Sequence, residues 1–417
     1  MVIGLVAGLE PEEEVTDVVC DEAELKDGEM TEVEVGDHNV LLVRCDGVYS
    51  AISNQCTHYG APLSKGVLSG HRVRCPWHGS CFNVKTGDLE EYPGIDCLPC
   101  HKVKVENNKV YVSGQPKRIK WMGARDQAVL HTVMLLGGGA ASLMCAETLR
   151  QENYGGRIIM VSRDDLLPYD KTRLSKIMNA ESESLLMRRM EFFHKYDIEV
   201  WLKKEALSID TNKKTVTFDD GLIQCYDQIL VMLEERGVTF YMNDAVAEVQ
   251  GENRRVKAVK LKSGITIEAD LLIVGIGVSP NSEFLKGSPI RMDSKNYVIV
   301  DKYMRTNVTD VYCAGDLTFF PLKMAKGQNV SIGHWQTAQA HGRIVALNMM
   351  RREVELNLVP FYWTVLLGRT IRYVCGIHSL YLDDEVVAAA GLNVEPAVSV
   401  VAERLAEGRV ITKAEAE

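Results

Sequence analysis

From Val33 to Ile52 the chain reads VEVGDHNVLLVRCDGVYSAI, and from Cys100 to Val112 it reads CHKVKVENNKVYV. In both stretches apolar and polar positions alternate over short spans, a period of two that predicts short β-strands. The pattern then lapses into a polar, basic connector, SGQPKRIKWMGARDQ, over Ser113–Gln127. Beyond it the periodicity changes in kind. HTVMLLGGGAASLMCAETLRQ (His131–Gln151) predicts a buried strand, a Gly-rich turn and a helix, and GRIIMVS (Gly156–Ser162) predicts a second strand. TNVTDVYCAGD (Thr306–Asp316) predicts a further strand ending at an aspartate, and HWQTAQAHGRIVALNM (His334–Met349) a helix. The charged MRRMEFFHKYDIE (Met187–Glu199) reads as a solvated helix face. The expected fold class is therefore multidomain: an all-β, sandwich-like N-terminal module, a Rossmann-type α/β module, and a short α+β C-terminal module.

Composition narrows the partners. The 417 residues are 46% hydrophobic and 25% charged, enough for several ordinary domains. The net charge of −10 argues against nucleic acid or an anionic membrane surface as partner. The longest apolar run, LLIVGIGV (Leu271–Val278), falls short of the roughly 18–20 residues that span a bilayer, so a soluble intracellular protein is expected. MVIGLVAGLE at the start has no basic flank and is followed by Glu12–Glu14, which fits neither a secretory nor a transit signal. The eleven cysteines accordingly read as thiols, metal ligands or core residues rather than a disulfide frame.

Two clusters pair a thiol with an imidazole: Cys56 with His58 in CTH, and Cys75 with His78 in CPWHG, sixteen residues apart. Thiolates suit one iron and imidazoles a second, which is the Rieske [2Fe–2S] pattern. Gly60, Pro76 and Gly79 permit the tight loops such ligands need. A mononuclear zinc site of two Cys and two His is the alternative at this stage. Cys97 and Cys100 (CLPCH) read as two strand-edge thiols, with a redox dithiol or half a zinc site as the other possibilities. In the second module, Gly137, Gly139, Ala140 and Ser142 form a GxGxxG-like turn with Ser in the last place, so a dinucleotide site is expected at the helix N-terminus.

Resemblances sharpen these readings. Compared with Rieske proteins, Ala61 and Trp77 fall where some members carry an extra cysteine pair, and Phe82 falls where high-potential members carry a tyrosine. Ser80 keeps its place. The resemblance implies a potential toward the low end of the roughly −150 to +300 mV Rieske range. LPYDKTRLSK (Leu167–Lys176), ADLLIVGIGVSPN (Ala269–Asn281) and TNVTDVYCAGD resemble, in order, three motifs of pyridine-nucleotide-disulfide-reductase-like flavoproteins. That resemblance implies FAD bound by Gly137, Gly139, Ala140, Ser142, Arg173, Lys176 and Asp316, with Asp316 at the ribityl chain.

Joined to the thiol–imidazole module, the whole chain resembles the Rieske-containing apoptosis-inducing-factor-like flavoproteins of the apoptosis-inducing factor 3 type. The resemblance implies that NAD(P)H reduces FAD, that the cluster relays single electrons to an unknown redox protein or small acceptor, and that the setting is cytoplasmic or mitochondrial with a pro-apoptotic role. One departure is expected. CYDQILV (Cys225–Val231) runs directly into MLEERGVTFYM (Met232–Met242), without the second Gly-rich turn of the family's inserted NAD-binding domain. The expected division is a Rieske module over 15–113, a linker over 114–127, FAD-binding segments over 128–231 and 268–357, an NAD-domain remnant over 232–267, and a shortened C-terminal domain over 358–417. Leu233, Val238, Phe240 and Val246 in the remnant are expected to lack covering partners. A non-enzymatic Rieske-bearing scaffold is the competing expectation.

Overall fold

The computed structural model describes residues 16–117, 122–171, 181–231, 246–252, 255–261, 266–268, 280–366, 369–375, 381–382 and 384–416. Arg173, Lys176, the run Leu271–Val278 and the apolar positions Leu233, Val238 and Phe240 lie outside the described residues.

The N-terminal alternation becomes ten strands: β1 (Thr16–Asp21), β2 (Met30–Val35), β3 (His38–Cys45), β4 (Val48–Ser53), β5 (Val67–Ser69), β6 (Arg72–Arg74), β7 (Cys81–Asn83), β8 (Leu89–Glu91), β9 (Cys100–Glu106) and β10 (Lys109–Lys117). They form a six-stranded sheet, β1-β10-β9-β4-β3-β2, and a four-stranded one, β5-β6-β7-β8. Asp46 and Gly47 join β3 to β4 with φ of 54° and 73°, the paired left-handed conformation that matches the twist of a two-residue hairpin. Strand β10 continues past Ser113 to Lys117, because Pro116 and Lys117 still pair with His101 and Cys100. The first residues of the polar stretch that marked a linker are here the end of a strand that lies between β1 and β9.

The second module is built on β11 (Thr132–Leu136), α1 (Ala140–Gln151), β12 (Arg157–Val161), two short helices α2 (Ser182–Leu185) and α3 (Met190–Lys195), and β13 (Ile198–Trp201). The meander β14 (Ala206–Asp210), β15 (Thr215–Phe218) and β16 (Ile223–Cys225) leads to β17 (Gln228–Val231). A separate antiparallel sheet follows, β18 (Val246–Glu252), β19 (Arg255–Leu261) and β20 (Thr266–Glu268), in which Val246 pairs with Leu261. The chain then returns through β21 (Val298–Ile299), β22 (Val311–Cys313), β23 (Thr318–Leu322), β24 (Gln328–Val330) and α4 (Trp335–Met349). The parallel sheet runs β13-β12-β11-β17-β22, the Rossmann order with its switch point beside β11. Its central strands are unbroken apolar runs because both faces are covered: Val133–Leu135, Ile158–Met160 and Ile229–Leu230 are fully buried.

The stretch Met187–Glu199 departs from its expected solvated-helix form. Only Met190–Lys195 is helical, Phe193 is buried, Ile198 enters the core as part of β13, and Arg188 bonds Glu147 and Asp96. Its charges sit between apolar residues committed to the sheet, and charge density alone did not show that.

The C-terminal module holds β25 (Phe361–Leu366), β26 (Arg369–Cys375), the small pair β27 (Tyr381–Leu382) and β28 (Glu385–Val386), β29 (Ala388–Leu392) and α5 (Ala397–Ala406). The sheet β25-β26-β29 takes α5 on one side.

Candidate redox centres

The two thiol–imidazole loops lie between β4 and β5 and between β6 and β7, and they close in the same way. Cys56 N–H donates to Ala61 O at 2.9 Å and Gly60 N–H to Cys56 O at 2.8 Å; Cys75 N–H donates to Ser80 O at 2.8 Å and Gly79 N–H to Cys75 O at 3.3 Å. Gly60 and Gly79 both take positive φ at the turn, 74° and 78°. Each loop thus aims a buried thiol and an imidazole at the same region. The Cys75 thiol donates to Cys56, and backbone N–H groups of His58 and Tyr59 and the Ser80 hydroxyl join it there. Together they outweigh burial and pull Cys56 down to about 7, while the same bond and burial raise Cys75. His58 and His78 bring their Nδ1 atoms to 3.0 Å, with the rings at 80°. Two nitrogens on one tetrahedral metal ion stand roughly 3.3 Å apart.

This arrangement fits a binuclear cluster. Two thiols on one side and two imidazoles on the other match one pair of protein ligands per iron. Cys97 and Cys100 stay outside the loops; Cys97 faces Asp88 Oδ1 at 3.7 Å.

The second site lies at the carboxyl edge of the parallel sheet. Gly137 (φ 116°) ends β11, Gly139 caps α1, and Ala140 and Ser142 are buried in its first turn. A cavity of about 310 Å³ opens there, lined by Leu136, Gly137, Val161, Arg163, Lys204 and Phe284 among others. Asp316 follows β22 in a turn beside Gly333, on the same edge of the sheet. That turn is braced by His341, whose Nδ1 accepts from Gly315 N–H at 3.2 Å; burial lowers this histidine to about 3, so the ring is neutral. The cavity lining is of mixed charge, Arg163 being paired with Glu205 and Lys204 with Asp220, so it is the Gly-rich turn at a helix N-terminus and a carboxylate across the switch point that suit a dinucleotide.

The C-terminal module joins the first site to the start of α4. The Trp363 ring lies 4.6 Å from His78 and 6.0 Å from His58, and also 6.0 Å from His334, which caps α4. Arg188 bridges Asp96 of the N-terminal module at 2.7 Å and Glu147 of α1 at 2.8 Å. Arg74, fully buried, pairs with Glu91 and with Glu403 of α5. Sequence reasoning assigned no role to Trp363, Arg188, Arg74 or Glu403. The two arginines of β6, Arg72 and Arg74, directly before Cys75 were the one local hint.

Comparison with known proteins gives a family for each of the two modules. Residues 16–102 match the Rieske [2Fe–2S] domain, and residues 131–232 and 224–342 match the pyridine nucleotide-disulphide oxidoreductase family. Apoptosis-inducing factor 3 from Homo sapiens is 35% identical across 98% of this chain and 86% of its own length. The chain belongs to the apoptosis-inducing factor 3 family. Members of this family join a Rieske [2Fe–2S] centre to FAD, and this chain is an NAD(P)H-linked electron-transfer oxidoreductase by its domains. Rubredoxin-NAD(+) reductase of Pseudomonas putida is 23% identical over 62% of the chain and 89% of its own length. In fold, the covalent putidaredoxin reductase–putidaredoxin complex superposes with a TM-score of 0.61 at 16% identity, covering 67% of this chain and 94% of that one. A ferredoxin reductase from Rhodopseudomonas palustris gives 0.58 at 19%, covering 67% and 96%. The human alignment runs over 523 positions against 417 residues here, so at least 106 of its positions have no residue in this chain.

Proposed function

We propose that Cys56, His58, Cys75 and His78 hold the [2Fe–2S] cluster, that Gly137, Gly139, Ala140, Ser142 and Asp316 line the FAD site, and that the chain passes electrons from NAD(P)H to a protein or small-molecule acceptor. FAD supplies the exchange of a two-electron hydride for single electrons, and the cluster supplies one-electron storage. What this chain adds is placement. The observation that carries the reading is the ring series His78, Trp363, His334, which joins the thiol–imidazole loops to the start of α4, the helix that braces the Asp316 turn. Burial lowers His334 to about 4 and keeps it uncharged there. A mitochondrial setting and a part in cell death rest on the family resemblance and the human relative's name.

The positions missing against the human relative support loss of the family's inserted NAD-binding domain after Val231, with residues 232–267 as its remnant and β18–β20 as the part described. The same gap favours a second reading, a Rieske-bearing scaffold whose flavin no longer meets NAD(P)H.

One experiment separates them. Purified protein is expected to show both cluster and flavin bands, and anaerobic NADH or NADPH is expected to bleach the flavin within seconds. Flavin that dithionite bleaches but neither nucleotide does establishes the scaffold. Zinc, without acid-labile sulfide, overturns both.

A further inference from the structure

The second ligand loop is gripped from outside its own module. Three successive carbonyls each accept a hydrogen bond from a buried side chain: Arg372 Nε of β26 donates to Trp77 O at 2.6 Å, Gln336 Nε2 of α4 to His78 O at 3.0 Å, and Arg74 Nη1 to Gly79 O at 2.9 Å. Gln336 also donates to Tyr92 O at 2.9 Å, and Gln339, one turn on, to Gly94 O at 3.2 Å. Arg74 belongs to the Rieske module, yet its guanidinium is shared with Glu403 of α5. Arg372 is held in turn by Glu395. Phe361 of β25 completes the grip: a Cβ at Gly79 would stand 2.7 Å from its ring. The bonds that close the first loop, Cys56 N–H to Ala61 O and Thr57 Oγ1 to Asp96 O, come from within the module.

Hydrogen bonds from buried charged or amide donors have direction. Undocking the loop takes the carbonyl partners from the Gln336 amide and from the Arg372 guanidinium, which keeps Glu395, and any of these donors that water does not reach bears its desolvation. A module that swings on a linker is expected instead to present a wet, weakly bonded face. We propose that Gln336 and Arg372 are positioning residues that clamp the 75–80 loop to the flavoprotein core, making the Rieske module a stationary relay rather than a mobile carrier. The relay role rests on the function proposed above, whereas the clamp does not need a bound cluster. The step it serves moves one electron between the two centres inside one chain, with no bond made or broken.

The test uses the full chain and its Gln336→Leu/Arg372→Met double variant. Hydrogen exchange of amides 77–81 is expected to quicken at least about tenfold in the variant, the equivalent of one lost hydrogen bond, while amides 56–61 keep their rates. The dithionite-reduced electron paramagnetic resonance signal should persist, showing that the cluster is retained. In stopped flow, cluster reduction after flavin reduction should be independent of solvent viscosity in the natural protein, and slower and viscosity-dependent in the variant. Unchanged exchange at 77–81, or viscosity dependence already present in the natural protein, overturns the clamp. Should the double variant fail to fold, Gln336→Leu alone must show the same asymmetry between the loops at smaller size. A chain that binds no flavin or cluster sinks the proposed function but leaves the exchange comparison decisive for the clamp.

Discussion

At the scale of single residues, Asp316 shows how a carboxylate is set for a ligand by its neighbours. The turn that carries it is tied to His341, whose neutral ring accepts the Gly315 N–H from a fully buried position. Nε2 of that ring has no hydrogen-bond partner within the described residues, so its orientation rests on the Gly315 bond, on the Thr318 hydroxyl 3.5 Å from Nδ1 and on the Phe320 ring, 4.5 Å away. Replacing Asp316 by Ala removes one acceptor of the proposed ribityl contact. We expect FAD affinity to fall about tenfold, read as the flavin-to-protein absorbance ratio after dialysis, with the melting temperature of the FAD-free protein little changed. Equal FAD retention in the variant and the natural protein would remove Asp316 from the site.

At the scale of elements, the crossing of α1 and α4 sets the distance between the dinucleotide turn and the helix that meets the Rieske loop. Gly342 makes that crossing possible: a Cβ there would stand 2.1 Å from the Ala141 carbonyl oxygen, backbone that cannot move aside without shifting the first turn of α1. Gly342→Val is expected to destabilise the protein by about 3 kcal/mol, checked by denaturant unfolding, and to lower FAD content as well. A change in stability with FAD retained would mean that the first turn of α1 does not hold the cofactor. The Rieske loops show the opposite use of an element, one hydrogen-bonding scheme built twice. The second copy is distinguished by what the rest of the chain presses against it.

At the scale of the whole molecule, ion pairs join the modules at buried positions, where charge is costly unless matched. Burial pushes the Glu91 carboxyl up, but Arg74 and Arg72 beside it prevail and hold it below the ordinary carboxylate range. A carboxyl depressed in the folded state stabilises the fold fully above its unfolded pKa of about 4 and loses that contribution as pH falls through the lower folded value. Melting temperature is therefore expected to hold steady on this group's account from neutral pH to about 5, then fall in acid. Glu91→Gln should flatten part of that acid decline and lower the melting temperature at neutral pH. An unaltered acid slope in the variant would place the titration elsewhere.

The ligand types and their spacing were legible in the chain because thiolates and imidazoles two or three residues apart have few chemical uses, and the buried runs of the Rossmann strands were legible because a doubly covered sheet needs them. Cys56, His58, Cys75 and His78, and the turn from Gly137 to Ser142, are local patterns of that kind. Gln336 and Arg372 are not. A glutamine in a helix and an arginine in a strand carry no signal of a carbonyl more than 250 residues away, and the reading of Met187–Glu199 as solvated failed for the same reason. Sequence by itself determined which side chains can bind iron and dinucleotide, since that follows from residue chemistry and short spacing. Only the tertiary structure decided that the second ligand loop is held by two other modules, because that contact is made by distant segments whose meeting depends on how the sheets and helices close on one another.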